Sequence, residues 1–156
     1  MSDPITTKEL GKVVVFQAGP ETWAVDLRHV REVVKLHHLT PLPNAIPEVA
    51  GMVNVRGEVI PVVKDWWGGD GDQEFTKIMV LESEREVLAL GVQDVMGLDS
   101  ILAFDLHNLD RMEPQHGAYV SSLVQLTHHE GLPLLDVPLL VSSFRERQAH
   151  RVHGAM

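Results

Sequence analysis

Histidine is the residue type that first suggests chemistry, because nine of the 156 residues are histidines. Two imidazoles bind one metal ion when their spacing brings them to the same face of a helix or strand. His37-His38 and His128-His129 are adjacent pairs, and neighbours on a strand face opposite ways. The His-x-x-x-His and His-Glu-x-x-His spacings do not occur. We therefore expect no metal site.

Carboxylates offer two further kinds of chemistry, calcium binding and acid–base catalysis. The stretch from Asp70 to Glu74 resembles the start of a calcium loop, but Phe75 replaces the required glycine and Leu81 replaces the closing glutamate. The three glutamates between positions 82 and 86 would carry like charges on a turn, where such residues are usually solvated. Nucleophile-elbow, phosphate-binding and dinucleotide-binding patterns are missing as well. The sequence predicts neither an enzyme nor a cofactor.

Composition narrows the possible partners and the compartment. The formal net charge is −9, and the basic residues are scattered, so nucleic acid is not an expected partner. There are no cysteines, which excludes disulfides and thiol chemistry. No run of 18 apolar residues occurs, so we expect a soluble cytoplasmic protein without membrane insertion.

Short apolar runs separated by turn residues organise the chain. The central pair, Met52 to Arg56 and Val59 to Val63, predicts a β-hairpin with Gly57-Glu58 as a type II′ turn. Pro61 has no N–H, so that position must face away from a paired strand, at an edge or a bulge. About ten such strands predict an all-β barrel or sandwich.

Helices are expected only as short connections. Asp26 is a candidate N-cap for one helical turn through Val30. Asn44 is a candidate cap for a short helix through Val49, with Gly51 as its left-handed terminator. A terminal helix is predicted from Pro138 to Arg147. We expect a flexible N-terminus (1–10), a single domain (11–145), a long loop over 104–117 and a flexible C-terminus (146–156).

The central hairpin also carries a resemblance to a known family. The string Pro47-x-x-x-Gly51-Met52-Val53-Asn54-Val55-Arg56-Gly57-x-Val59-Ile60-Pro61 is similar to the signature of the CheW-like domain family. The similarity extends to Trp23-Ala24-Val25-Asp26-Leu27, Leu90-Gly91-Val92 and Leu134-Leu135-Asp136, and covers roughly residues 10 to 145. This family's fold is two five-stranded SH3-like β-barrels packed through a shared apolar core.

The resemblance implies a non-catalytic adaptor in chemotaxis signal transduction. Members of the family couple methyl-accepting chemoreceptors, through their cytoplasmic tips, to the regulatory domain of the CheA histidine kinase. Such an adaptor would be cytoplasmic, associated with membrane receptor arrays, and monomeric outside the array. By family position, the receptor side would comprise Val30, Glu32, Gly51, Asn54, Arg56 and Gly57, and the kinase side would lie around Val87, Leu88 and Leu90.

Trp66 and Trp67 follow the hairpin in a glycine-rich stretch, which suggests either exposed interface anchors or a cover over a barrel end. Purely structural interpretations of the receptor-side residues also remain open. Arg56 would then be a solvated turn residue, Val30 a core residue and Glu32 part of a surface ion pair.

One departure from the family leaves the biological output open. The family usually continues Asp-Leu-Arg after the hairpin, whereas this chain has Lys64-Asp65-Trp66. The alternatives are a divergent member serving a non-flagellar system, such as type IV pilus motility, or a module that binds a small ligand.

Overall fold

The structure is a computed structural model that describes residues 10–64, 66, 74–105 and 119–154. A 3₁₀ turn spans Leu27–His29, and one helix, α1, spans Val137–Gly154. The ten strands are β1 (Lys12–Ala18), β2 (Glu21–Asp26), β3 (Val30–Lys35), β4 (Val49–Val55), β5 (Glu58–Val63), β6 (Lys77–Ser83), β7 (Glu86–Val92), β8 (Asp94–Asp105), β9 (Val120–Leu126) and β10 (Leu132–Leu135).

Five of these strands form a closed barrel in the order β1-β2-β10-β9-β8. The alternation of β1 sends Val13 and Val15 into the barrel, where they pack with Ala24, Ile101 and Val124. The opposite face of β1 carries Val14 and Phe16, which belong to a different core. Successive residues of β1 therefore alternate between the barrel interior and this second core.

The other five strands form a sheet in the order β3-β6-β7-β5-β4. Its inner face buries an aliphatic cluster that includes Val53, Ile60 and Ile78. Strands β3 and β4 are the edges, and a two-way backbone bridge between Thr40 and Met52 (2.9 and 2.7 Å) connects the segment after β3 to β4. The sheet thus curls into the second five-stranded unit, and the predicted all-β architecture is confirmed.

A shared core joins the barrel, the second sheet and α1. Phe16 and Trp23 from the barrel meet Leu81 and Leu90 from the second sheet and Phe144 from the helix. All of these side chains are buried. The core holds the two units in one arrangement because both units and α1 contribute buried side chains to it.

The helical predictions met mixed outcomes. The cap at Asp26 is confirmed, since its side chain accepts a hydrogen bond from the Arg28 N–H. The predicted helix from Asn44 is wrong. Turns at residues 43–44 and 47–48 replace it, because Pro47 disfavours helical geometry at Ile46.

Helix α1 begins as predicted but continues past Arg147 to Gly154. Its second half is held by the loop before β4. Arg147 pairs with Glu48 at 2.9 Å, and Gln148 accepts from the Ile46 N–H (2.9 Å) and donates to the Asn44 carbonyl (3.0 Å). These contacts explain why the helix extends into the segment that the sequence predicts to be flexible. Residues 1–9 of the predicted flexible N-terminus (1–10) lie outside the described residues, as do residues 106–117 of the predicted 104–117 loop. The first two residues of that predicted loop, Phe104 and Asp105, belong to β8 instead.

Candidate functional site

The turn between β4 and β5 places Arg56 at the tip of the central hairpin. Arg56 and Gly57 are the two turn residues, with φ of 53° and 86°, and Val55 pairs with Glu58. Positive φ at both positions is the type I′ pattern, so the predicted type II′ turn at Gly57-Glu58 is wrong by one residue. The I′ turn matches the right-handed twist of the flanking strands, which favours it despite the cost of positive φ for an arginine.

Asn54 is the residue that supports this turn. Its side-chain Oδ1 accepts a hydrogen bond from the Gly57 N–H at 2.9 Å. The same register explains Pro61, which lies opposite Met52. Since Met52 directs its own N–H and C=O to Thr40, the Met52–Pro61 pair needs no hydrogen bond, and the missing N–H of proline points away from β4 as predicted.

Ion pairs tie the tip to the first edge strand. Arg56 Nε lies 3.2 Å from Glu32 Oε1, and Arg31 reaches Glu58 at 2.7 Å and Glu82 at 3.0 Å. The hydrogen bonds to Glu58 and Glu82 raise the pKa of Arg31. The tip is therefore connected to β3 by side chains, at the end of the sheet opposite the Thr40–Met52 bridge.

The tip remains open to a partner. The Arg56 side chain is 81% exposed, and Val59, which pairs with Asn54 across the hairpin, is 60% exposed. We call Asn54, Arg56 and Val59 the tip surface. The tip surface combines a cation, an amide and an apolar group. Val59 could not be identified from the sequence, because an alternating strand pattern does not show which valine stays exposed.

Gly51 lies away from the tip surface. It is five residues from Arg56 along an extended strand, about 16 Å at the usual rise. Its φ is +151°, and a Cβ there would lie 2.8 Å from the Thr40 carbonyl oxygen. The close approach that glycine allows is therefore to this chain's own Thr40.

Substituting Gly51 by alanine is expected to lower the free energy of unfolding by about 1–3 kcal/mol, from backbone strain and the clash with Thr40. Gly97→Ala is the matched control, because Gly97 also has a positive φ (+130°) but would meet nothing within 4 Å. Urea unfolding of both variants measures the difference. Equal losses would show that the Thr40 contact contributes nothing.

Val30 is half-buried and packs against the shared core, as does Val49. An apolar groove of about 250 Å³ lies near Val49 and Pro61 and is closed on its other side by Phe144 and Ala149 of α1. The groove lies between the outer face of the hairpin and the helix. Of the six predicted receptor-side residues, Glu32, Asn54, Arg56 and Gly57 converge at the tip, Val30 borders the core, and Gly51 is separate.

The residues predicted for the kinase side are core residues. Val87, Leu88 and Leu90 are buried, because β7 is the central strand between β6 and β5. They are not available to a docking partner, so that assignment is wrong. Trp66 is also buried, against Trp23, and is not an exposed anchor. Trp67 lies outside the described residues.

Strand β8 carries exposed apolar side chains that the sequence did not single out. Leu98 is 63% exposed, and Met96 and Phe104 are about half exposed. Large apolar groups exposed side by side on one strand are typical of contact surfaces. We call Met96 and Leu98 the β8 patch. Periodicity alone could not identify it, because the bulge near these residues breaks the alternation.

Comparison with known proteins identifies the family. A sequence model of the CheW-like domain matches residues 12–145, which is most of the chain. This chain belongs to the CheW-like family.

Curated relatives agree with that assignment. A chemotaxis protein CheW from Treponema pallidum is 27% identical over 142 residues, covering 85% of this chain and 82% of that protein. A CheW from Klebsiella aerogenes is 28% identical over 92 residues, covering 54% of this chain and 55% of that protein. The crystal structure of the scaffolding protein TtCheW from Thermoanaerobacter tengcongensis covers 80% of this chain and 88% of its own, with a TM-score of 0.69 and 24% identity. This structural likeness supports the CheW-like fold.

One histidine pair of this CheW-like chain departs from expectation. His128 and His129 lie in the β9–β10 turn, and both Nδ1 atoms approach the buried carboxylate of Asp99, at 3.3 and 3.1 Å. The rings converge because a turn does not alternate as a strand does. Among residues 10–64, 66, 74–105 and 119–154, no group of three or more histidine or acidic side chains is arranged to hold a metal ion.

Asp99 is held as an anion by these neighbours. Burial raises its pKa, but hydrogen bonds from His129, from the Ser100 and His128 N–H groups and from the His128 ring outweigh burial and hold the pKa at about 2. The cluster connects the β9–β10 turn to β8 and is structural.

Across the described parts of the chain, no helix is long and apolar enough to cross a membrane.

Proposed function

We propose that this CheW-like protein is a cytoplasmic chemotaxis adaptor that binds the cytoplasmic tip of a chemoreceptor and the regulatory domain of a CheA histidine kinase. The observation that carries the proposal is the exposed Arg56, positioned by Asn54 and Glu32 within the family's own motif. The family match and the chemotaxis proteins among its relatives support this class of function. The proposal assigns the chain no reaction of its own.

On the receptor side, the tip surface and the groove along α1 supply complementary features. Arg56 offers a cation and Val59 an apolar contact, and the groove of about 250 Å³ accepts an apolar side chain. Interfaces of this kind gain affinity from a few apolar or arginine anchors surrounded by a polar rim. The partner would therefore present an acidic group beside an apolar one.

On the kinase side, the β8 patch replaces the buried β7 residues as our proposed contact. Met96 and Leu98 are exposed on the barrel, whereas the tip surface belongs to the second sheet. Two surfaces on different units would let one chain bind two partners at once. Whether the output is flagellar or pilus-driven depends on those partners.

A binding experiment with crossed variants tests the proposal. Full-length protein is titrated with a chemoreceptor cytoplasmic fragment and, separately, with a CheA regulatory domain from the same genome. Arg56→Glu is expected to weaken receptor binding by about tenfold or more while kinase binding is kept. Leu98→Glu is expected to produce the opposite pattern.

Arg85→Glu provides the matched control for Arg56→Glu. Arg85 is also an exposed arginine at positive φ (70°) in a two-residue turn, between β6 and β7. It should bind both partners like wild type, and unfolding curves should show that every variant folds. Failure of the wild-type protein to bind either partner would end the adaptor proposal.

A further inference from the structure

A cavity of about 200 Å³ opens along the seam between the edge strands of the second sheet. Two contacts, which we call the ties, bound this seam: the backbone bridge between Thr40 and Met52 at one end, and the Glu32–Arg56 ion pair at the other. Between these ties the backbone of Asn54 faces away from β5, because Asn54–Val59 is a non-hydrogen-bonded pair. We call this space the seam cavity.

The floor of the seam cavity is aliphatic. It is lined by Val34, Val53, Val55 and Ile78, of which Val53 and Ile78 are buried. An apolar protein cavity of about 150 Å³ is known to bind benzene. The seam cavity is therefore large enough for one six-membered ring or a branched alkyl group.

The rim is polar and basic. Lys35, His37 and His38 line the opening. No carboxylate in the described part of the chain pairs with Lys35, whereas Lys77, its neighbour across the ladder, is paired with Asp94 at 3.1 Å. A basic rim over an apolar floor, in a chain of net charge −9, favours a ligand that carries a negative charge at one end.

The ties also limit the size of the ligand. Met52 and Arg56 are four residues apart, about 13 Å along a strand. An added β-strand would have to displace both ties, and the seam cavity is too small to hold several residues. A compact molecule enters from the open side without breaking either tie.

We propose that the seam cavity binds a small organic carboxylate, with its ring or branched alkyl group on the aliphatic floor and its carboxylate at Lys35 and the two histidines. The site lies between the tip surface and the Thr40 bridge. It does not depend on the adaptor function.

Benzoate is the probe, titrated into ¹⁵N-labelled full-length protein and followed by two-dimensional NMR. We expect saturable shifts in residues of the seam cavity, with benzoate binding about tenfold more tightly than benzamide or benzylamine. The neutral amide and the cationic amine keep the ring and remove the negative charge.

Lys35→Glu is expected to weaken benzoate binding by about tenfold, while Lys12→Glu on the barrel keeps it unchanged. Both lysines lie on exposed parts of the surface, so both variants should fold. The proposal is overturned if benzoate shows no saturable shifts, if benzamide binds equally well, if the shifts fall outside the seam cavity, or if Lys35→Glu binds like wild type.

Discussion

Replacing Trp66 by alanine is expected to lower the free energy of unfolding by about 3–5 kcal/mol. Trp66 is only 3% exposed, and its ring centroid lies 4.7 Å from that of Trp23 and 6.2 Å from that of Phe16. Truncation would leave a cavity in the core shared by the barrel, the second sheet and α1. Domains of this size are stable by about 5–15 kcal/mol, so the loss would be a large share of the total.

Urea unfolding of full-length protein measures this effect, with Trp66→Phe as the milder variant and Leu98→Ala as a control at an exposed apolar position. Trp66→Phe should lose less because part of the aromatic packing remains, and Leu98→Ala should change stability little. If Trp66→Ala unfolds like wild type but binds a partner more weakly, Trp66 is an interface anchor and its assignment to the core is wrong.

Much of the fold could be predicted because its signals are local. The β6–β7 and β9–β10 hairpins follow from short apolar runs on each side of a polar turn. The pairing of strands that are distant in sequence could not be predicted. Strand β5 pairs in parallel with β7, and β10 pairs in parallel with β2, and neither pairing has a local sequence signal.

That missing information explains the errors about exposure. Val87 to Val92 has the composition of any apolar strand, and only the pairing of β7 on both sides makes it central. Trp66 follows a hairpin and precedes glycines, which suggests a loop residue. Its ring instead fills the space between two units whose packing cannot be deduced from sequence alone.

The family motif draws attention to residues of the tip surface, but it does not predict their geometry. The motif contains Asn54 and Arg56, and the structure explains their spacing: Asn54, three residues before Gly57, accepts the Gly57 N–H and so supports the turn that carries Arg56. The turn was misplaced by one residue because an arginine at positive φ is uncommon. Glu32 became part of the site only through folding, since 24 residues separate it from Arg56.

Asp99→Asn is expected to lower the free energy of unfolding at pH 7 by about 2–3 kcal/mol. Asp99 Oδ1 accepts from the Ser100 N–H at 2.8 Å, and Oδ2 accepts from the His128 N–H at 3.0 Å. An asparagine amide would direct its NH₂ group at one of these N–H groups in either orientation. Because a backbone N–H cannot become an acceptor, one buried donor would lose its partner.

The loss should shrink in acid, and the sign follows from the pKa of Asp99. That pKa is about 2 in the folded protein against an ordinary 3.8, so the carboxylate stabilises the fold fully above about pH 5, and this contribution disappears as the pH falls towards 2. The difference between wild type and Asp99→Asn in urea unfolding should therefore be largest at pH 5–7 and decline by pH 3.

Asp94→Asn is the matched control, because Asp94 makes an exposed ion pair with Lys77, and its replacement should change stability little at any pH. A difference between wild type and Asp99→Asn that stays constant from pH 7 to pH 3 would contradict the assignment. In that case the charge of Asp99 does not stabilise the fold, and the connection between β8 and the β9–β10 turn depends on hydrogen bonds that are independent of that charge.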